Sequence, residues 1–177
     1  MVIPLRTKQL TGSEDYFQQV IVPNKRDFFG QASAFASALN LATCLFHFHE
    51  WLHAEFRPQL EAQLGQTFKK SGQFWGAVQN TDRRFGYVRD LTNASKHVQI
   101  GGQGFQTSTG MSHIANTHIV VSRGLGGGGF GRGRFGDSSQ VMFADGGSLV
   151  SYDDCANALF QYWKTMLEQL TGRPQPT

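Results

Sequence analysis

One long stretch, from about Asp27 to Arg57, constrains the fold more than any other feature of the sequence. Apolar residues and two histidines recur in it at alternating steps of three and four positions, so that they form two adjacent rows. The first row comprises Phe35, Leu39, Ala42, Phe46, His49, His53 and Phe56, and the second comprises Ala38, Leu41, Leu45, Phe48 and Leu52. The spacing predicts a helix of about 45 Å with a wide buried face. Pro58 is expected to end it, because proline cannot continue the hydrogen-bond ladder.

Shorter patterns predict the other helices. Ser13 begins a helix over Tyr16 to Val22, which Pro23 and Asn24 are expected to break. Residues 58–80 carry scattered glycines and predict a loop with irregular helical turns. Helical spacing returns over residues 81–98, and again over residues 153–171 near the end of the chain.

The composition changes between these last two helices, where β-favouring runs follow a group of glycines. The runs are Ala115 to Ser122, Gln140 to Ala144 and Ser148 to Tyr152. Asp145-Gly146-Gly147 separates the last two and predicts a tight hairpin turn, because such a turn needs positive φ angles. The order of elements predicts an α+β fold in a single domain of residues 1–177. It is mainly a helical bundle, of residues 13–98 and 153–171, with a small antiparallel β-sheet inserted at 102–152 before the C-terminal helix.

Composition narrows the class of protein. The 177 residues are 40% hydrophobic, which is enough for one core. The net charge of +3 and the pI near 9.0 permit an acidic or nucleic-acid partner without requiring one. Cys44 and Cys155 match no metal-binding spacing, so we interpret them as reduced core residues. No apolar run is long enough for a membrane span or a secretion signal, so we expect a soluble, cytoplasmic protein with no membrane partner.

The predicted long helix contains His49-Glu50-Trp51-Leu52-His53, which has the form of the H-E-x-x-H motif of zinc peptidases. Two histidines four residues apart can share a Zn²⁺ ion, and the intervening glutamate can act as general base. A catalytic site needs a third protein ligand, and no downstream residue has the expected spacing. The candidates are Glu55, Glu61, His97, His113 and His118. Because His49 and His53 also lie on a core-facing row, the alternative is that they are buried histidines with hydrogen-bond partners.

A second polar group lies on the helix predicted at residues 81–98. Gly86, Asp90, Asn93 and His97 share one stripe, and Arg89, Asn93 and Lys96 lie along its edge. An arginine, an asparagine and a histidine on one helix could bind a phosphate and move a proton, with Lys96 helping to stabilise charge. His47 and Glu50 of the long helix could face this stripe across the bundle. The alternative is a structural polar network, or a solvated face, between two helices.

A helical bundle with an arginine, a polar residue and then a histidine near the end of one helix resembles the HEPN superfamily. That family includes ribonuclease toxins and nucleotide-binding modules. The resemblance covers about residues 27–98 and the last helix. It implies nuclease roles for Arg89, Asn93 and His97, and a homodimer that joins two such motifs. The spacing departs from the family pattern, since seven residues separate Arg89 from His97 and Asp90 follows Arg89 directly.

A glycine-rich segment at residues 123–136 adds a third feature. Arg123, Arg132 and Arg134 alternate in it with glycines and two phenylalanines, as in RGG-type segments that bind RNA through charge and stacking. The alternative is a long hairpin loop in which the arginines serve solubility.

These features support three hypotheses from different classes. The first is a nucleic-acid-associated or toxin/defence-type domain that cleaves RNA without a metal cofactor, through Arg89, Asn93 and His97. The second is a zinc hydrolase through His49, Glu50 and His53. The third is a non-enzymatic oligomerising or adaptor domain.

Overall fold

A computed structural model describes residues 10–30, 35–96, 109, 117–122 and 138–177. Within these residues the chain is mainly helical, with a small antiparallel sheet before the C-terminal helix, which confirms the predicted fold class. The elements in chain order are α1 (Ser13–Tyr16), a π-helical turn (Phe17–Ile21), α2 (Val22–Gly30), α3 (Phe35–Leu64), α4 (Ser71–Gln79), α5 (Arg83–Lys96), β1 (Thr117–Ser122), β2 (Ser138–Asp145), β3 (Ser148–Ser151) and α6 (Tyr152–Thr171).

Helix α3 is the central element, and its inward face is the second of the two predicted rows. All five members of that row are fully buried. The predicted end at Pro58 corresponds to a kink, where one helical segment ends and a second one continues to Leu64. The backbone leaves helical geometry at Phe56, with φ −121° and ψ 21°, and this kink accommodates the proline ring. Leu60 is 0% exposed, and its burial stabilises the helical segment beyond the kink.

The N-terminal helix also passes a predicted break. Pro23 was expected to end it, but the chain stays helical from Ser13 to Gly30 through the π-helical turn at Phe17–Ile21. A π-helical turn widens the backbone just before the proline, whose missing N–H would otherwise interrupt the regular ladder. Asn24 donates from its side chain to the carbonyl of Val20 at 2.8 Å. The stretch from Asp27 to Gly30, predicted to begin the long helix, belongs instead to α2.

Helix α4 was not predicted, because its sequence contains two glycines and looked like part of a loop. Its Phe74, Trp75 and Val78 are buried against the core, and this burial stabilises the helix despite the low helix propensity of glycine. Helix α5 confirms the predicted helix at 81–98 as far as Lys96, and residues 97 and 98 lie outside the described residues.

The sheet has the strand order β1-β2-β3, and both strand pairs are antiparallel. The predicted turn is present between β2 and β3, where Gly146 and Gly147 have φ angles of 57° and 85°. Phe143 of β2 stacks on Tyr87 of α5 at 5.5 Å between ring centroids and contacts Tyr152 of α6 edge-on at 5.8 Å. The sheet is therefore attached to the helical core through its central strand.

Helix α6 completes the core. Trp163 is fully buried, and its indole N–H donates to the carbonyl of Leu45 at 2.8 Å. Near its start, Tyr152 donates from its hydroxyl to the carbonyl of Ala38 at 2.8 Å. Cys44 and Cys155 are buried free thiols, as expected, and burial raises the pKa of each to about 12.

Candidate functional site

The described site residues that come together lie where α3 meets the end of α5. The Lys96 ammonium lies 3.2 Å from Nε2 of His47, and Nδ1 of the same ring lies 3.2 Å from a carboxylate oxygen of Glu50. His47 and Glu50 are one turn apart on α3, whereas Lys96 is 49 residues further along the chain than His47. The side chains of His47 and Glu50 are 29% and 54% exposed. We call these three residues the Glu50–His47–Lys96 cluster.

The tautomer of His47 follows from its two neighbours. An ammonium can only donate, so Nε2 accepts from Lys96, and Nδ1–H then donates to the Glu50 carboxylate. A carboxylate that binds one ring nitrogen fixes the orientation of the imidazole and leaves the other nitrogen able to accept a proton. The arrangement has the parts of an acid–base site with an adjacent cation.

Arg89 and Asn93 lie on the same edge of α5 as Lys96, as predicted, and both are half-buried. The Arg89 guanidinium donates to the side-chain oxygen of Gln79 at 3.3 Å, and that oxygen also accepts from the indole N–H of Trp75 at 3.0 Å. Arg89 is therefore held against α4.

Asp90 points away from this edge. Its side chain is fully buried and accepts two hydrogen bonds from Thr109, from the backbone N–H at 3.0 Å and from the hydroxyl at 2.7 Å. The carboxylate thus attaches residue 109 to α5, which is a structural role. Asp90 was grouped with the supporting site residues, and in the structure it is separated from them by burial.

The two histidines of the H-E-x-x-H segment contact backbone carbonyls. His49 is 3% exposed, its Nδ1 lies 2.5 Å from the carbonyl oxygen of Phe46, and its ring packs on Trp75 at 5.4 Å between centroids. Burial lowers the pKa of His49. Nε2 of His53 lies 3.1 Å from the carbonyl oxygen of Phe68. The His49 ring is therefore buried against α4, whereas the His53 ring is half-buried and contacts the segment before α4.

Two of the candidate third zinc ligands have structural partners. Glu55 accepts from the backbone N–H of Ser13 at 2.6 Å. Glu61 accepts from Arg57 at 2.9 Å and from the backbone N–H of Phe68 at 2.8 Å, and the Arg57 hydrogen bond lowers the pKa of its carboxyl. Across residues 10–30, 35–96 and 138–177, and the few described residues between them, no three potential metal-ligating side chains form a group. The zinc hypothesis stays a prediction.

Several predicted site residues fall outside the described part of the chain. His97, His113, Arg123, Arg132 and Arg134 lie outside the described residues, as does the glycine-rich segment at 123–136. His118 pairs through its backbone with Met142 in the sheet.

The structure adds one residue to the site that the sequence did not single out. Trp51 follows Glu50 on α3, is half-buried, and stacks on Tyr16 at 4.8 Å between ring centroids. Burial raises the pKa of Tyr16 to about 12, and the nearby Cys44 and Glu50 side chains raise it in the same direction. The sequence shows that an aromatic residue follows the motif glutamate, but only the packing of the N-terminal helix shows that the Trp51 and Tyr16 rings meet there.

Comparison with protein-family models, curated proteins and solved structures finds no significant match to this chain. Among the described helices, none is both long and apolar enough to cross a membrane.

Proposed function

We propose that this protein is a nucleic-acid-associated helical domain that cleaves RNA without a metal ion at the Glu50–His47–Lys96 cluster. The observation that carries the proposal is the position of His47, whose ring nitrogens lie 3.2 Å from a carboxylate on one side and 3.2 Å from an ammonium on the other. Arg89 and Asn93 of the HEPN-like motif lie on the same helix as Lys96, and these two residues and His97 remain candidates for the same reaction.

The chemistry needs an acid–base group and a cation. In RNA cleavage the 2′-oxygen attacks the adjacent phosphorus, the P–O5′ bond breaks, and a 2′,3′-cyclic phosphate remains. His47 would take the proton of the 2′-hydroxyl at Nε2 once Lys96 has turned from the ring to a phosphate oxygen. Water or His97 would return a proton to the departing 5′-oxygen. Glu50 would hold the ring in the required tautomer.

The surroundings of the cluster suit a polymer better than a small molecule. The side chains of His47 and Glu50 are partly exposed on the outer face of α3 rather than enclosed. Trp51 and Tyr16 stack beside Glu50, and exposed parts of aromatic rings can stack with bases of single-stranded RNA. A sequence-predicted Gly/Arg segment with Arg123, Arg132 and Arg134 would add affinity through phosphate contacts.

The test is cleavage of a labelled single-stranded RNA in EDTA, with the same oligonucleotide carrying 2′-deoxyribose as control. His47→Ala should lower the cleavage rate by about 100-fold or more, as is typical for loss of a general base. Lys96→Gln should lower it by about 10-fold or more, and His97→Ala should abolish it if His97 supplies the leaving-group proton. Lys69→Gln is the matched control, because Lys69 is an exposed lysine in the loop before α4. Its rate should stay within about twofold of wild type, a change small beside the loss of a catalytic group.

Circular dichroism should show that each variant is folded. Cleavage by folded His47→Ala at the wild-type rate would remove the catalytic role of the cluster. RNA binding without cleavage would leave a binding domain. Neither binding nor cleavage would favour the adaptor hypothesis.

A further inference from the structure

A second candidate site lies on another part of the molecule, along one face of α2. A groove of about 310 Å³ runs beside this helix and the C-terminal segment that follows α6. It is lined by Val22, Lys25, Arg26, Phe29, Gly30 and Thr177. The α2 members recur at steps of three and four, so they form one continuous stripe on the helix. A cavity of this volume is at the lower end of the range for small-molecule sites.

Two of the residues that line the groove, Lys25 and Arg26, carry a positive charge. The Lys25 ammonium lies 4.0 Å above the centroid of the fully buried Phe160 ring. Burial and the nearby charge of Lys164 both lower the pKa of Lys25. The Lys164 side chain is 18% exposed, and its ammonium lies 3.8 Å from a Glu168 carboxylate oxygen, a long ion pair. The same oxygen of Glu168 accepts from the backbone N–H of Gln175 at 2.8 Å.

The positive side chains of Lys25 and Arg26 line the groove and favour an anion there. The Arg26 Nε lies 4.0 Å from a carboxylate oxygen of Asp27, and both of these side chains are mostly exposed. A guanidinium fork and an ammonium together match the oxygens of a phosphate group. Val22 and Phe29 supply an apolar wall beside these charges.

We infer that this groove binds a small phosphomonoester with a planar or apolar body, held by Lys25 and Arg26 at the phosphate and by Phe29 and Val22 at the body. The inference is independent of the proposed RNA cleavage, because it uses no residue of the Glu50–His47–Lys96 cluster. Such a ligand could be a free mononucleotide or the terminal phosphate of a nucleic acid.

The experiment is calorimetric titration of the full chain with adenosine monophosphate, with adenosine and inorganic phosphate as the two partial ligands. Saturable binding of the monophosphate is expected, with weaker binding of either part. Lys25→Gln should weaken it by at least about tenfold, the usual effect of losing one charge-assisted hydrogen bond. Lys25→Arg should retain most of the affinity, and Arg26→Gln should weaken it without affecting the core, since Arg26 is exposed. Lys69→Gln should leave it unchanged.

Three results of these titrations would contradict the inference. Absence of saturable binding to the folded protein, or equal affinity for adenosine and its monophosphate, would overturn the inference. Unchanged affinity in both Lys25→Gln and Arg26→Gln would overturn it as well. A parallel titration with 5′-phosphorylated and 5′-hydroxyl trinucleotides separates the two sources. Lys25-dependent preference for the phosphorylated form identifies a nucleic-acid end, and preference for the free monophosphate identifies a mononucleotide.

Discussion

The start of helix α1 is stabilised by Glu55, a residue of the central helix α3. Gly12 occupies the N-cap position and has no side chain to offer, so Glu55 of α3 accepts from the backbone N–H of Ser13 at 2.6 Å. A carboxylate at a helix N-terminus also interacts favourably with the helix dipole. Glu55 therefore acts as a cap for α1 and fastens it to the central helix.

Replacing Glu55 by alanine removes the acceptor and leaves the N–H of a fully buried residue without its partner. Loss of a hydrogen bond to a charged group costs about 1.5–3 kcal/mol, more than the ~1 kcal/mol of an ordinary cap. We expect a loss of about 2 kcal/mol in the free energy of unfolding, which lowers Tm by roughly 4–8 °C in a chain of this size. Glu55→Gln keeps an acceptor and should lose about half as much.

Gly12→Ala should disturb the same contact from the other side. A Cβ atom at position 12 would lie 2.9 Å from one Glu55 carboxylate oxygen and 3.3 Å from the other, so the carboxylate must shift. We expect a cost of about 1 kcal/mol, because the capping bond lengthens. In the Glu55→Ala background this cost should disappear, which gives a coupling of about 1 kcal/mol in a double-mutant cycle.

The cycle is measured by urea unfolding followed by circular dichroism. Gln59→Ala is the matched control, because Gln59 is an exposed residue one turn further along α3. It should change stability by less than about 0.5 kcal/mol. Additive effects of Gly12→Ala and Glu55→Ala would refute the capping role, and so would a Glu55→Ala cost no larger than that of the control.

Four further predictions concern single residues. Gly146→Ala should lower the stability by about 1–2 kcal/mol, because φ at that turn is 57°. Gly76→Ala should raise it by about 0.5–1 kcal/mol, because Gly76 lies inside α4 and a Cβ atom there would meet open space. Urea midpoints test both predictions. Burial lowers the pKa of His49 from 6.5, so the stability that neutral His49 contributes is present above pH 6.5 and is lost as the pH falls through the pKa of the folded state. Urea midpoints at about pH 7.5 and 5.5 should therefore differ less in His49→Gln than in wild type. Burial raises the pKa of Tyr152 well above its ordinary 10.0, so the stability that the neutral hydroxyl contributes is lost as the pH rises beyond 10.0. Tyr152→Phe should weaken this alkaline dependence of stability and should cost about 1 kcal/mol at neutral pH, because the bond to Ala38 is lost. Unfolding of both proteins, measured in parallel at alkaline pH, tests this.

Local patterns predicted most elements because they record how each segment meets the core. The second apolar row of α3 is fully buried, and the glycine pair after Asp145 forms the expected turn. The errors fell where burial outweighed a local signal. A second helical segment follows the kink beside Pro58 and buries Leu60, and α4 forms despite its glycines because Phe74 and Trp75 are buried.

The candidate site was predictable in its parts but not in its arrangement. The helical spacing indicated that Arg89, Asn93 and Lys96 share an edge, and that His47 and Glu50 share a stripe. Whether the two stripes meet depends on how each helix is rotated about its axis, which only packing decides. In the structure Lys96 reaches His47, whereas Asp90 turns inward to Thr109.

The sequence by itself determined the fold class, because helical and strand periodicities are local properties of the chain and each apolar face must be buried. It also determined which residue types were available for chemistry. The tertiary structure alone decided which of them meet, because a contact such as that between His47 and Lys96 joins residues 49 positions apart. It also decided that the Lys25 ammonium lies over the Phe160 ring, since the packing of α2 on α6 has no signature in either segment.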